Sequence, residues 1–145
     1  MRRYLVGGNW KCNGTMEFAR NFPKEVLNNL KFDASRVEVV VAPTALHVST
    51  VQANVNKNIH VATQNLSLTG NGAFTGEFSV DMIKDMGVSW TLTGHSERRT
   101  LYGETDQHVA TKTRLALEQG FTVLACIGEQ LDEREGGKTK TVNER

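Results

Sequence analysis

A β-branched run recurs, in weaker forms, along this chain and restricts the folds that it can adopt. Val37–Ala42 (VEVVVA) is the clearest example, and a near-continuous apolar strand is typical of a parallel sheet that is buried on both faces. The carboxyl ends of five such runs lie roughly 20–30 residues apart, about the spacing of βα units. The predicted strands are residues 4–10, 37–42, 59–63, 89–93 and 121–127.

The segment between the first two predicted strands has the spacing of an amphipathic helix. Ala19, Phe22, Val26 and Leu30 step by three and four residues, which predicts one apolar face. Pro23 lies inside this pattern. Because proline removes a helical hydrogen bond, we expect a kink or a restart there.

Capping residues predict three further helices, and residues 136–145 are expected to begin a fifth. Serine and threonine are favoured where a helix starts, and glycine just past its last turn. The expected starts are Thr44, Ser79 and Thr105; the expected ends are Gly87 and Gly120; and the expected inward residues are Val48, Val51 and Val55 in the second helix and Val109, Thr113, Ala116 and Leu117 in the fourth.

The alternation of strands and helices predicts an α/β fold with a parallel sheet and right-handed crossovers. Five strands can form an open sheet or part of a barrel, and periodicity alone does not decide between them. At 145 residues, the chain has the normal size of one domain, and we expect residues 1–145 to be a single domain.

Composition excludes several classes of protein and partner. The formal net charge is +1, with acids and bases mixed, so no general affinity for nucleic acid or an anionic membrane is expected. No apolar run suits a signal peptide or a membrane-spanning helix, so a cytoplasmic location is expected. We therefore expect reduced thiols at Cys12 and Cys126, although a single disulfide between them is the alternative.

Polar residues cluster where predicted strands end, which is where parallel α/β folds place their sites. Lys11 and Asn9 offer a cation and a neutral donor to one anionic or carbonyl-bearing ligand. His95 begins a helix, where free amides and the helix dipole favour a neutral ring that donates a hydrogen bond. Each residue taken alone has a structural alternative: a solvated lysine, a helix-capping histidine and, for Glu97, a carboxylate at a helix terminus.

No cofactor and no metal are expected from sequence motifs. Residues 70–76 have the spacing G-x-G-x-x-x-G and do not directly follow a strand, so we reject a dinucleotide-binding loop. The chain contains no Walker loop, no HExxH motif and no metal-ligand spacing.

Four short sequence motifs, taken together, are specific enough to indicate a protein family. Their order and spacing resemble those of the triosephosphate isomerase family over essentially the whole chain. The resemblance implies a (β/α)8 TIM barrel of about 250 residues. This chain would hold β1–α1 to β4–α4, β5 and the start of the next helix. The motifs are GNWKCNG at 8–14, NGAFTGE at 71–77, TGHSERR at 93–99 and CIGE at 126–129.

The resemblance also implies an enzyme of glycolysis and gluconeogenesis that needs no cofactor. Its substrate is a small phosphorylated triose: dihydroxyacetone phosphate and glyceraldehyde 3-phosphate interconvert through an enediol(ate), and a neutral histidine acts as electrophile. By resemblance, Lys11 would stabilise the substrate's negative charge and Asn9 would bind near the reacting carbonyl. His95 would polarise that carbonyl and shuttle protons, Glu97 would orient Lys11, and Ser96 would hold the resting base.

Residues 64–77 resemble the family's loop that docks into a neighbouring subunit, which implies a homodimer. Thr75 at the tip would reach the Asn9, Lys11 and His95 region of that subunit. A mobile, glycine-rich surface loop is the structural alternative. The implied interface residues are Phe74, Thr75, Gly76 and Glu77.

The family's catalytic base is a glutamate after the sixth strand, followed by a mobile lid and phosphate-binding loops, all outside residues 1–145. Glu129, Glu133 and Glu135 align with the fifth loop and cannot replace it. Residues 1–145 alone are therefore expected to be inactive. We favour part of a dimeric isomerase; the alternatives are a non-catalytic half-barrel used for binding or structure and one piece of a split enzyme.

Overall fold

Five parallel strands, hydrogen-bonded in chain order, curl into a half-barrel. The structure is a computed structural model and describes residues 2–144. Within these residues, β1 pairs with β2 alone and β5 with β4 alone. The curl decides between the two architectures that periodicity left open, in favour of part of a barrel. The strands are β1 (Tyr4–Asn9), β2 (Val37–Ala42), β3 (Ile59–Thr63), β4 (Trp90–Thr93) and β5 (Thr122–Ala125).

The predicted strands agree with the structure, apart from their ends. Bounds for β2 and β3 are those predicted, and β1 and β4 are each one residue shorter. β5 is shorter at both ends because the Phe121 amide donates to the Ala116 carbonyl, which closes the preceding helix instead of extending the sheet. At the other end, the Cys126 amide still donates to the Thr93 carbonyl (2.8 Å) as the chain leaves the sheet.

Helices alternate with the strands, and two short 3-10 turns, Leu27–Asn29 and Ala45–His47, extend the first two connections. Within residues 2–144, every helix is too short or too polar to cross a membrane. The helices are α1 (Met16–Glu25), α2 (Val48–Asn54), α3 (Val80–Asp85), α4 (Ser96–Tyr102), α5 (Asp106–Glu118), α6 (Leu131–Glu135) and α7 (Thr139–Asn143).

The apolar face predicted for the first helix is only partly correct. Ala19 is fully buried, but Val26 and Leu30 are each 43% exposed. The helix continues through Pro23, and the chain then tightens into Leu27–Asn29. The buried residues are Ala19, Pro23 and Leu27, which step by four along one helical face and leave Val26 and Leu30 outside it.

Two of the three predicted helix starts are capped by their own side chains. Ser79 accepts a hydrogen bond from the Met82 amide, and Thr105 accepts one from the His108 amide. Thr44 instead precedes a 3-10 turn and makes no capping bond, so that prediction is wrong in detail.

The inward face predicted for α5 contains one error. Val109 and Ala116 are buried and Thr113 is half-buried, but Leu117 is 57% exposed. Lys112 is buried in its place, because its ammonium group has partners inside the fold. The helix predicted over residues 136–145 is present as α7, with Arg145 outside the described residues.

The sheet buries different residues on its two faces. On the outer face, Val39 and Val41 of β2 join a core that includes Val51 of α2. On the inner face, Val40 of β2 packs with strand residues such as Trp90 of β4. The helices therefore cover the outer face, and the inner face opens onto a cavity of about 430 Å³ between β1 and β5.

Residues 1–145 alone should be poorly soluble, because the edge strands leave unpaired backbone groups. β1 is the more exposed edge, with Tyr4 at 72% and Val6 at 57%. We expect association that increases with protein concentration, measured by analytical ultracentrifugation. Val6→Lys, which charges this edge, should reduce the association. A monomer as soluble and as stable to urea as a complete barrel would contradict this expectation.

Candidate active site

A cleft of about 550 Å³ lies at the carboxyl ends of the strands. It is lined by residues from the loops after β1, β2, β3 and β4. The parallel topology thus brings together residues that are far apart in sequence. The polar residues that line it include Asn9, Lys11, Thr44, Gln64, His95 and Glu97.

The loop after β1 is held from both sides. The Trp10 ring packs edge-on against Phe18 and Phe22 of α1, with centroids 5.0 and 5.7 Å away. The Asn13 side chain donates to the Trp10 carbonyl (3.0 Å). This anchoring fixes where the next residue, Lys11, leaves the sheet.

Lys11 has a strained backbone that its neighbours stabilise. Its φ is 55°, in the left-handed region that residues other than glycine seldom adopt. Its amide donates to Asn9 Oδ1 (2.9 Å), and its carbonyl accepts from Gln64 Nε2 (2.9 Å). The same Gln64 nitrogen donates to the Ala42 carbonyl at the end of β2, so Gln64 ties the loop after β1 to the end of β2. Because Asn9 Oδ1 is engaged, the amide nitrogen of Asn9 is the end suited to donate to a ligand.

The Lys11 side chain reaches across the cleft to the loop after β4. Its ammonium nitrogen lies 2.5 Å from Glu97 Oε1. The hydrogen bond from Lys11 lowers the pKa of Glu97, and the nearby positive charge adds to that effect against a smaller opposing effect of burial. Glu97 is therefore an ionised carboxylate that fixes a cation.

His95 caps α4 with its own ring. Nδ1 accepts a hydrogen bond from the Glu97 amide (3.2 Å), which is shorter than its 3.5 Å separation from Glu97 Oε2, and an accepting nitrogen carries no proton. The ring proton is then on Nε2, which makes this nitrogen a donor. The side chain is 22% exposed and lines the cleft. The geometry therefore favours a neutral imidazole with one N–H to offer.

The described residues that line this cleft include no carboxylate free to act as a base. Among the cleft-lining residues that the structure describes, Glu97 is the one acid, and Lys11 binds it. Glu129 instead contacts Arg134 and Asn143 beyond β5. Ser96 is half-buried as the first residue of α4.

A buried ionic cluster behind the cleft was missed by sequence reasoning. Glu104 Oε1 accepts from Arg98 Nε (2.6 Å) and from the Lys112 ammonium group. Lys112 also donates to Asn65 Oδ1 (2.8 Å) in the loop after β3. The cluster links that loop to α4 and α5. No local pattern signals it, because its members are 6 to 47 positions apart.

The interface residues predicted in the loop after β3 are all exposed. Phe74, Thr75, Gly76 and Glu77 form a turn in which the Glu77 amide donates to the Phe74 carbonyl (3.0 Å). Phe74 is 46% exposed. The turn therefore presents an aromatic side chain to a partner or to solvent.

The two cysteines carry free thiols. Cys12 is exposed in the cleft, and Cys126 is half-buried at the end of β5. Burial raises the pKa of Cys126, and the charge of Arg99 opposes that rise. Residues 2–144 contain no group of three or more His, Cys, Asp or Glu side chains arranged to hold a metal ion.

Comparison with known proteins agrees with this geometry. The family model described as "Triosephosphate isomerase" matches residues 4–145. The chain belongs to the triosephosphate isomerase family. A triosephosphate isomerase of Coprinopsis cinerea is 49% identical over 143 residues, covering 99% of this chain and 57% of the relative. One from Emericella nidulans is 48% identical over 138 residues, covering 95% of this chain and 55% of the relative.

A third relative, the chloroplastic triosephosphate isomerase of Fragaria ananassa, is 46% identical over 137 residues. That match covers 94% of this chain and 43% of the relative. The chain thus spans about half the length of the curated relatives it matches. The resemblance seen in the sequence motifs is confirmed at the level of the family and the half-barrel fold.

Proposed function

We propose that residues 1–145 supply the electrophilic part of a triosephosphate isomerase active site. The reaction interconverts dihydroxyacetone phosphate and glyceraldehyde 3-phosphate through an enediol(ate). The observation that carries this proposal is the Lys11–Glu97–His95 arrangement in one cleft. It combines a fixed cation with a neutral imidazole that can donate from Nε2.

The chemistry of an enediolate fits these donors. Removing a proton from the carbon beside a carbonyl leaves negative charge on the carbonyl oxygen. Donors that are fixed before the reaction stabilise that charge without reorganising. In our proposal, His95 Nε2–H donates to the oxygen and shuttles protons between the two substrate oxygens, while Asn9 donates nearby. Lys11 stabilises the negative charge of the substrate.

The proposal needs a base that the cleft residues of this chain do not provide. Proton abstraction requires a carboxylate within hydrogen-bond reach of the substrate carbon. Glu97 is bound to Lys11 and has a lowered pKa, which makes it a weak base. We therefore assign Glu97 to positioning, and we propose that the base and the phosphate-binding loops come from outside residues 1–145, with Ser96 holding the resting base.

A chimeric barrel tests this function. Residues 1–145 would replace the matched segment of the Coprinopsis cinerea relative, and the unmodified relative would serve as control. We expect kcat/KM within about tenfold of the control, because the donors of the cleft are supplied by this chain. A folded chimera without measurable isomerisation would contradict the proposed function.

Glu97→Gln in this chimera should lower kcat by about 10- to 100-fold, with a smaller change in KM. Glutamine has nearly the same shape but no charge, so the Lys11 ammonium group is held less firmly. Glu118→Gln, on the exposed surface of α5, is the matched control and should leave steady-state kinetics unchanged. Equal kinetics for Glu97→Gln and Glu118→Gln would exclude the positioning role.

We also propose that the protein is a homodimer assembled through residues 64–77. Besides its polar residues, the cleft has an apolar wall that includes Leu101 and Tyr102, which are 70% and 67% exposed. Exposed apolar side chains beside a cleft favour the insertion of a partner loop. The turn with Phe74 at its tip is a suitable insert, and it would place the partner's Thr75 beside Asn9, Lys11 and His95.

Phe74→Asp in the chimera should weaken dimerisation by at least about 10-fold in Kd, because a charge would enter an apolar contact. Leu117→Asp is the control, since Leu117 is 57% exposed on the outer surface of α5. Sedimentation over a range of concentrations measures both. A dimer equally stable in the two variants would contradict assembly through this loop.

We place this reaction in the glycolysis and gluconeogenesis of the cytoplasm. The two fungal relatives carry no compartment in their names, whereas the Fragaria ananassa relative is named chloroplastic. Fluorescence of the tagged protein in its own cells separates these locations, and plastid fluorescence would overturn the cytoplasmic assignment.

A further inference from the structure

Arg99 joins three segments at the carboxyl ends of the strands. Nε donates to the Gly94 carbonyl (2.7 Å), Nη2 to the Cys126 carbonyl (3.2 Å) and Nη1 to Asp106 Oδ1 (2.5 Å). Gly94 follows β4, Cys126 follows β5, and Asp106 begins α5. The arginine side chain is only 16% exposed, so a charged group is held between two loops and a helix.

The carbonyl contacts matter more than the ion pair. The Asp106 side chain is 78% exposed, and a pair with an exposed partner contributes little to stability. The two carbonyls accept instead from a largely buried guanidinium group, whose planar fork of donors can hold both at once. Arg99 therefore fixes the backbone of two loops more than it neutralises a charge.

Two glycines make room for this side chain. A Cβ at Gly128 would lie 2.5 Å from Arg99 Nε. A Cβ at Gly94 would lie 2.6 Å from Val109 Cγ1 and 2.9 Å from both Arg99 Nη2 and the Cys126 carbonyl oxygen. Both glycines have positive φ, 75° and 69°. Both positions therefore combine a left-handed backbone with too little room for an unshifted Cβ beside the guanidinium group.

We propose that Arg99 is a positioning residue for His95, an inference that rests on the proposed function. The Gly94 carbonyl and the His95 amide belong to one planar peptide unit. The hydrogen bond from Arg99 to that carbonyl therefore fixes the orientation of the peptide plane that precedes the His95 Cα. Since His95 Nδ1 accepts from the Glu97 amide, the plane also fixes the direction in which Nε2 points into the cleft.

The test compares Arg99→Ala, Arg99→Lys and Arg114→Ala in the chimeric barrel. Arg114 is 62% exposed in a surface ion pair, which makes it the matched control. Arg99→Ala should lower kcat by about 100-fold with KM within about threefold, because a misplaced donor loses transition-state stabilisation more than substrate binding. Arg99→Lys keeps one donor and should lose about 10-fold. Arg114→Ala should match the parent.

Chemical rescue separates positioning from general loss of structure. Millimolar guanidinium chloride should restore at least about tenfold of kcat to Arg99→Ala, whereas potassium chloride at equal ionic strength should not. Failure of guanidinium to restore kcat, or a kcat within about threefold of the parent in Arg99→Ala, overturns the proposal. If Arg99→Ala does not fold, Arg99→Lys decides, and a kcat equal to the parent's overturns it.

Amide hydrogen exchange gives a readout that does not depend on activity. The Glu97 amide, which donates to His95 Nδ1, should exchange about tenfold faster in Arg99→Ala or Arg99→Lys than in Arg114→Ala. If the parent chimera is inactive, the proposed function fails, and this exchange rate alone decides whether Arg99 positions the ring. Unchanged exchange at Glu97 in the Arg99 variants would overturn the proposal.

Discussion

Replacing His95 with glutamine in the chimeric barrel should lower kcat by about 10²- to 10⁴-fold, with KM changed by less than about threefold. The ring accepts from the Glu97 amide at Nδ1 and offers a proton at Nε2. Glutamine can donate a hydrogen bond, but it cannot pass protons between two substrate oxygens. A coupled assay in both reaction directions measures the loss.

The matched control is His108→Gln. The His108 ring takes part in a capping box with Thr105, and glutamine is also favoured at that position of a capping box. Kinetics of the control should equal those of the parent. A kcat for His95→Gln within about fivefold of the parent would contradict the electrophilic role.

The second large effect is on stability. Glu104→Ala in the same chimera should lower the free energy of unfolding by about 3–5 kcal/mol, because Lys112 would stay buried without its carboxylate. The side chains of Glu104 and Lys112 are each 5% exposed. Urea unfolding at one fixed protein concentration measures the change, since dissociation of a dimer also shifts the midpoint.

Two controls distinguish the effect of a buried, unpaired charge on the free energy of unfolding from the effect of losing any carboxylate. Glu118→Ala removes an exposed partner of Arg114 and should change the free energy of unfolding by less than about 1 kcal/mol. Lys112→Met added to Glu104→Ala should recover part of the loss, because no buried ammonium group then remains unpaired. Equal losses for Glu104→Ala and Glu118→Ala would contradict the buried cluster.

The cluster of Glu104, Arg98 and Lys112 also predicts how the stability of the fold changes with pH. Burial raises the pKa of Glu104, but hydrogen bonds from Lys112 and Arg98 outweigh it, and the net pKa is lowered from 4.5. A carboxylate with a lowered folded-state pKa stabilises the fold above its unfolded-state pKa and loses this contribution as the pH falls through the folded value. The parent should therefore lose stability below about pH 4.5, and Glu104→Ala should lose less over the same range.

Local patterns predicted the sheet well because both faces of its central strands are buried. The bounds of β2 follow from a near-continuous β-branched run, and those of β3 from β-branched residues at alternate positions. The Ser79 and Thr105 caps follow from hydroxyls placed before helical patterns. The failures occur where distant contacts override local polarity. Leu117 is exposed while Lys112 is buried, because the ammonium group finds Glu104 and Asn65 inside the fold.

The residues of the candidate site could be predicted from the sequence, but the contacts that hold them in place could not. Lys11, His95 and Glu97 all follow strands, so the parallel topology alone places them at one end of the sheet. That Gln64 holds the Lys11 carbonyl depends on a contact across 53 positions. That Arg99 is largely buried against the Gly94 and Cys126 carbonyls depends on the pairing of β4 with β5 and on a contact across 27 positions, which a local sequence pattern does not show.

Isomerisation by residues 1–145 alone, measured beside the chimeric barrel, shows directly whether the catalytic base lies outside this chain. In our proposal, this chain supplies the electrophile and the cation, and residues outside it supply the base. We expect no turnover above the buffer rate for residues 1–145 and ready turnover by the chimera. Turnover by residues 1–145 alone that His95→Gln abolishes, or a folded chimera that does not turn over, would contradict this proposal.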